Sequence, residues 1–202
     1  MKVIKFDERE NWLAARRGKI TGTRLKDLIV KRSTEKKIGY YELIAERLAI
    51  PADDEGAMDR GIRLEKDAIV EYEKRTEMKL ISDLVIWERD ENASIAISPD
   101  AYSEDFKHAV EAKCLNSANH IKALLTNEMP KEYYEQALQY FIVNDELEVL
   151  HFVMYDPRIL AEPYLQFDLT RDQVAETVAE YLELERKTIE EIDEIVNILS
   201  KF

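Results

Sequence analysis

Asp100, Glu111 and Lys113 are the residues of this chain whose types and spacing could do chemistry. Glu111-Ala112-Lys113 reads as part of a strand, and side chains two apart on a strand project from one face. Asp100, eleven residues before Glu111 in the turn Ser98-Pro99-Asp100, can fold back to set its carboxylate beside that of Glu111. Two carboxylates are hard oxygen ligands for Mg²⁺ or Mn²⁺, ions that keep several waters and so leave positions for a phosphate oxygen. A lysine beside such an ion can orient a water, and help to deprotonate it if burial or the cation lowers the lysine pKa. The chemistry this points to is metal-assisted hydrolysis of a phosphodiester. Taken alone, an acid followed by Glu-x-Lys is an ordinary solvated strand edge that recurs by chance in charged proteins. Here the charges lie within Val110-Glu111-Ala112-Lys113-Cys114, between small or apolar residues on a strand expected to be central. Burial there is costly unless the charges are paired or hold a metal.

The elements that must position these residues follow from periodicity and punctuation. A short helix is expected over 23–28. Another covers 39–48, with Tyr41, Ile44, Ala45 and Leu48 on one side and Pro51 beyond its end. A third over about 58–74 buries Ile62, Ala68, Ile69 and Tyr72, with Glu65 close to that apolar side. Strands are expected over 80–87, 94–98 and 108–114, the first two joined by the polar run 88–92. Helices over 117–126 and 131–143 come next, then an apolar strand over 147–155 that Asp156-Pro157 stops, since proline has no amide to donate. A strand over 164–169 and a long helix capped by Thr170 complete the series, with Val174, Val178, Leu182, Ile189, Ile192, Val196 and Leu199 at helical spacing. This order describes an α/β fold with a central mixed β-sheet flanked by helices. It is expected to form one domain over 1–202, with a basic helical segment at 1–50, a core at 58–169 and a final helix at 170–202.

Composition narrows the classes. Of 202 residues, 46% are hydrophobic and 35% charged, enough apolar material for a core beneath a wet surface. The single cysteine excludes disulfide frameworks and cysteine-built metal sites, and suits a reducing compartment. No apolar run approaches the ~20 residues of a membrane span, and the first residues lack a signal-peptide core. A soluble, unexported protein is the expectation. The net charge of −13 argues at first against a nucleic-acid partner. Its distribution argues the other way: residues 1–40 hold twelve Lys and Arg against five Asp and Glu, a balance of +7 that leaves −20 for the remainder.

Pro99-Asp100 with Glu111-Ala112-Lys113 resembles the signature of the PD-(D/E)XK nuclease superfamily. Four further segments, in order, resemble the phage lambda exonuclease and YqaJ-like viral recombinase family. They are Trp12-x3-Arg16-x-Gly18-x-Ile20-Thr21-x-Thr23, Arg60-Gly61-x3-Glu65-x2-Ala68, Tyr133-Tyr134-Glu135-Gln136 and Tyr155-Asp156-Pro157-Arg158. The resemblance implies a restriction-endonuclease-like core in which Asp100, Glu111 and the Ala112 carbonyl bind the metal. Lys113 would position or activate the attacking water and stabilise charge on the phosphate. It implies that Glu65 is an additional acid holding a second metal or a metal-bound water, where an ordinary surface glutamate would pair with Arg60, Arg63 or Lys66. Gln136 would brace the site. The family's second glutamine, two positions on, is Leu138 here, while Gln139 and Tyr140, three and four positions on, still share a helix face with Gln136. Arg16, Thr21 and Thr23 correspond to a pocket for a DNA 5′-phosphate, with Arg17 competing for the arginine role; the ordinary readings are a solvent cation and an N-cap.

The function implied is a Mg²⁺-dependent exonuclease, Mn²⁺ substituting, that digests linear double-stranded DNA 5′-to-3′ and leaves 3′ overhangs for phage-type recombination. A homotrimeric ring around DNA and a single-strand annealing partner are implied likewise. The rivals are a structure-selective or endonucleolytic enzyme of the same superfamily, and a non-catalytic DNA-binding module. His108, His120 and His151 read as dispersed structural residues, Cys114 as a small core residue, and Trp12 and Trp87 as core or docking aromatics. The basic run 31–37 could contact backbone phosphates or lie in solvent.

Overall fold

A computed structural model describes residue 11 and residues 36–48 and 57–199. The helix expected over 23–28, the basic run up to residue 35, Trp12, Arg16, Arg17, Thr21 and Thr23 lie outside the described residues. The chain divides into two compact units, Met1–Leu64 with Cys114–Glu128 and Tyr155–Leu165, and Glu65–Lys113 with Met129–Met154 and Gln166–Phe202. No helix among the described residues is long and apolar enough to cross a membrane.

The elements are α1 (Ile38–Leu48), α2 (Ala57–Thr76), β1 (Trp87–Arg89), β2 (Asn92–Ile97), β3 (Ala101–Tyr102), β4 (His108–Lys113), α3 (Ser117–Thr126), a 3₁₀ turn (Lys131–Tyr133), α4 (Tyr134–Val143), β5 (Val149–Tyr155), β6 (Tyr164–Thr170) and α5 (Arg171–Leu199). A four-stranded sheet runs β3-β4-β5-β6, and β1-β2 form a separate antiparallel pair. β3 is antiparallel to β4, and β4 parallel to β5, so the sheet is mixed as the sequence pattern implies.

In the first unit α1 packs on α3, burying Tyr41 and Ala45 with Ala118, Ile121 and Ile159. The Asn116 side chain caps α3 by accepting from the Asn119 amide at 2.9 Å, and Asn127 ends it in the left-handed region that asparagine tolerates. Asp156, fully buried, accepts from Ser117 Oγ at 2.5 Å and from Arg158 Nε and Nη2 at 2.9 and 3.0 Å. Burial pushes its carboxyl up, and these donors outweigh it and hold the pKa below the ordinary value. The Asp156-Pro157-Arg158 segment is thus a paired buried charge.

In the second unit α4 is the central helix. Its Ala137, Leu138, Phe141 and Ile142 join Ala109, Leu147, Leu150, Val174 and Val178 in one core, with α5 along its side. Burying each large aliphatic or aromatic side chain contributes roughly 1.5–3 kcal/mol. Two arginines close the carbonyl end of α4, where partial negative charge collects. Arg171 donates to Leu147 O at 2.8 Å and Asn144 O at 2.5 Å, and Arg89 donates to Ile142 O while gripping Asp145 at 2.9 and 3.0 Å. The Gln173 side chain accepts from the Thr170 amide at 3.0 Å, one half of a capping box at the start of α5.

Two features differ from the sequence expectation. The strand expected over 80–87 forms only at Trp87; before it, Ile81 makes a lone bridge to Tyr102, and Leu84 and Ile86 are 106% and 69% exposed. The alternation there suits a strand, but among the described residues no neighbour continues the ladder. The two-residue β3, hidden between Asp100 and Ser103, takes the edge instead.

Candidate active site

Backbone parity builds the site. Ser103 N donates to His108 O at 2.9 Å, so His108, Val110 and Ala112 aim their main-chain groups at the β3 edge. The β3–β4 ladder pairs Ala101 with Val110 and goes no further. The next positions on the β3 side are Asp100 and Pro99, and a proline cannot donate. Asp100 replaces the missing partner with its side chain: the Ala112 amide donates to Asp100 Oδ2 at 2.7 Å. By the same parity the Ala112 carbonyl opens on this edge, beside the carboxylate.

Glu111 lies on the face of β4 turned to α4 and is only 2% exposed. Gln136 Nε2 donates to its Oε1 at 2.7 Å, and the Tyr140 hydroxyl to its Oε2 at 2.5 Å. Lys113, on the same face two residues on, forms an ion pair with Oε1. The Lys113 ammonium also lies 5.5 Å from the centre of the Tyr133 ring, which rests against Phe152. Burial pulls the Lys113 pKa down, but Glu111 outweighs it and the net direction is up. Lys113 is therefore held as an ammonium. Burial first, and Glu111 second, also push the Tyr140 phenol well above its usual value, which keeps it a donor.

Asp100 is the unsettled group. Burial, then the charge of Glu111, push its carboxyl up to about 7, against the opposing Ala112 amide; Glu65 adds a smaller upward push. A half-buried carboxyl pushed up by the buried Glu111 carboxylate beside it fits a divalent cation, which would relieve that repulsion. Among the described residues no three His, Cys, Asp or Glu side chains gather at metal-ligand spacing. An ion here would rest on Asp100, Glu111, the Ala112 carbonyl and water, an oxygen set that suits Mg²⁺ or Mn²⁺. Glu65, half-buried on α2, is near enough for its charge to act on Asp100 without completing a three-acid cage.

The structure thus brings Asp100, Glu111, Ala112, Lys113 and Gln136 together, sets Glu65 at the margin, and leaves Arg16, Thr21 and Thr23 outside the described residues. Gln139 turns away: it donates to Ala96 O at 3.4 Å and Glu185 Oε1 at 3.0 Å, tying α4 to β2 and α5. The sequence reading gave no role to Tyr140, although its four-residue offset from Gln136 was the available signal. Nor did it foresee that His108 and His151 meet, Nδ1 to Nε2 at 3.1 Å.

Residues 11–146, which include all of these site residues, match the YqaJ-like viral recombinase domain. The chain belongs to that family. Among solved structures, this YqaJ-like chain is similar to LHK-Exo in complex with dAMP, at 27% identity and a TM-score of 0.60 over 95% of this chain and 98% of the other. It is also similar to the alkaline exonuclease LHK-Exo from Laribacter hongkongensis, at 27% identity and a TM-score of 0.61 over the same shares. The YqaJ-like chain shares the mixed α/β fold of that enzyme. No curated protein matches it.

Proposed function

We propose that this YqaJ-like protein is a metal-dependent exonuclease of phage-type recombination, which digests the 5′-ended strand of linear duplex DNA and leaves 3′ overhangs. The observation that carries the reading is the Asp100–Ala112–Glu111–Lys113 constellation, with Glu111 buried and braced by Gln136 and Tyr140. Similarity to an alkaline exonuclease over nearly the whole chain supports it.

Asp100, Glu111 and the Ala112 carbonyl would hold Mg²⁺ or Mn²⁺, with Glu65 alongside, and the ion supplies Lewis-acid polarisation of the phosphodiester. Gln136 and Tyr140 fix the Glu111 carboxylate, so no reorganisation is needed during reaction. Lys113, on the same strand face as Glu111, would position or activate the attacking water and meet negative charge developing on the phosphate. Arg16, Thr21 and Thr23 would receive the 5′-phosphate through a guanidinium fork and two hydroxyls. A homotrimeric ring and a single-strand annealing partner belong to the same proposal.

The test compares 5′-phosphorylated linear duplex, 5′-hydroxyl duplex and closed circular DNA with Mg²⁺. Mononucleotides should leave the 5′-phosphorylated ends fastest and circles should stay intact. Cutting of circles would replace this reading with an endonuclease, and absence of hydrolysis on every substrate would leave a binding module.

A further inference from the structure

A groove of about 600 Å³ opens among the β1–β2 turn, the turn between β3 and β4, and the turn after α4, away from the catalytic carboxylates. Its aromatic lining is Trp87 and Phe106, with ring centres 5.9 Å apart in an edge-to-face pair. Phe106 is 47% exposed and has φ 60°, a left-handed conformation rarely adopted by a bulky residue. The turn is fastened there: Phe106 N donates to Ser103 O at 2.9 Å, and Asn144 Nδ2 donates to Phe106 O at 2.8 Å. An aromatic ring is thus presented to solvent by a backbone that glycine would adopt more readily.

The walls are acidic. Glu91 and Asp145 are answered by Arg89, and Glu91 by Arg186 as well. Glu88, Asp90 and Glu146 make no side-chain hydrogen bond or ion pair among the described residues. Glu88 and Asp90, with Glu146 whose charge Lys107 and Arg171 partly answer, surround the exposed side of Phe106, whose other face stacks on Tyr102; they repel phosphate, and so do not suit DNA. They attract a cation that can also lie flat on an aromatic ring, and guanidinium meets both demands. The opening is larger than one guanidinium and falls in the range of sites that hold several groups. We propose that this groove docks an arginine-bearing segment of a partner protein. Trp87 also stands 6.4 Å from Tyr140, the donor to Glu111, which places the docked segment one aromatic contact from the nuclease site.

The probe is a fluorescein-labelled octapeptide of alternating arginine and leucine, titrated by anisotropy into the full chain. Asp90→Lys combined with Glu146→Lys should weaken binding about tenfold, since reversing charges at an interface costs far more than screening does. Phe106→Gly should weaken it about threefold, the scale of a cation–π contact, while leaving the melting temperature equal or higher because glycine suits the left-handed turn. Glu176→Lys with Glu180→Lys, an equal charge change on the exposed side of α5, should have less than about a twofold effect. Equal loss in the α5 variant would reduce the binding to net charge and overturn the proposal. So would wild-type binding by Phe106→Gly, displacement of the peptide by duplex DNA, or a groove variant that alters self-association and leaves peptide binding intact.

Discussion

The two faces of β4 and β5 carry opposite arrangements of charge. On the face turned to α4, Asp100 and Glu111 stand together with Lys113 as their close cation, and Asp100 is pushed up to about 7 by burial and by Glu111. On the other face His108, His151 and Asp168 form a chain across β4, β5 and β6, with 3.1 Å between the imidazoles and 2.7 Å from His151 Nδ1 to Asp168 Oδ1. Gln166 donates to the same Asp168 oxygen at 2.8 Å, and the Tyr72 ring lies 5.1 Å from His151. Burial pushes Asp168 up, but His151 and Gln166 outweigh it and hold it below the ordinary value. One face is closed by its own hydrogen bonds. The other, among the described residues, is short of positive charge, as expected of a face that a metal ion would complete.

The largest effect should separate the faces outright. Lys113→Ala should lower turnover about a thousandfold, the scale of losing a preorganised charge at a reacting phosphate, while DNA binding persists in a gel-shift assay. His151→Leu should lower unfolding free energy by about 2 kcal/mol, by leaving His108 and Asp168 without their shared partner, with turnover per folded molecule unchanged. A turnover loss in His151→Leu comparable to that in Lys113→Ala would join the two faces into one machine. Next in size is Tyr140→Phe, which strips Glu111 Oε2 of its donor and should cost about 10- to 100-fold in activity or Mg²⁺ affinity, measured by kinetics and calorimetry.

The front face was more legible in the sequence than the back for a reason of distance. Asp100, Glu111 and Lys113 lie within one turn and one strand, so strand parity nearly suffices to bring them together. Gln136 had to come from the family resemblance, because its meeting with Glu111 depends on how α4 sits over the sheet. Gln139 and Tyr140 show the limit of periodicity: offsets of three and four residues rotate about 60° back and 40° forward from Gln136. That divergence sends Tyr140 to Glu111 and Gln139 to β2 and α5. His108 and His151 looked dispersed because 43 residues separate them in the chain, and only the parallel register, which pairs Val110 with His151, brings them into contact.

The faces should also respond to pH with opposite signs. Asp100 is an acid whose folded pKa is raised, so its contribution to stability is greatest below its unfolded value near 3.8 and is lost as pH rises towards about 7. Asp168 is lowered, so its contribution is present above its unfolded value and is lost as pH falls through the folded one. Mg²⁺ at a hundredfold excess over its Kd at about pH 8 should therefore stabilise the fold by about 2.7 kcal/mol, and the same concentration should raise the melting temperature less at about pH 5. An equal Mg²⁺ shift at both pH values would detach the metal from the raised Asp100 carboxyl.

The smallest expected effect tests how the face turned to α4 keeps Lys113 in place. The Tyr133 ring lies against Lys113 and is backed by Phe152, the register partner of Glu111. If the ring face steadies the ammonium, Tyr133→Leu should lower kcat about fivefold, within the ordinary range of a partly desolvated cation–π contact, and leave KM unchanged. Tyr133→Phe keeps the ring and should restore wild-type turnover. A loss in Tyr133→Phe equal to that in Tyr133→Leu would assign the effect to the hydroxyl, and Lys113 would then be held by Glu111 alone.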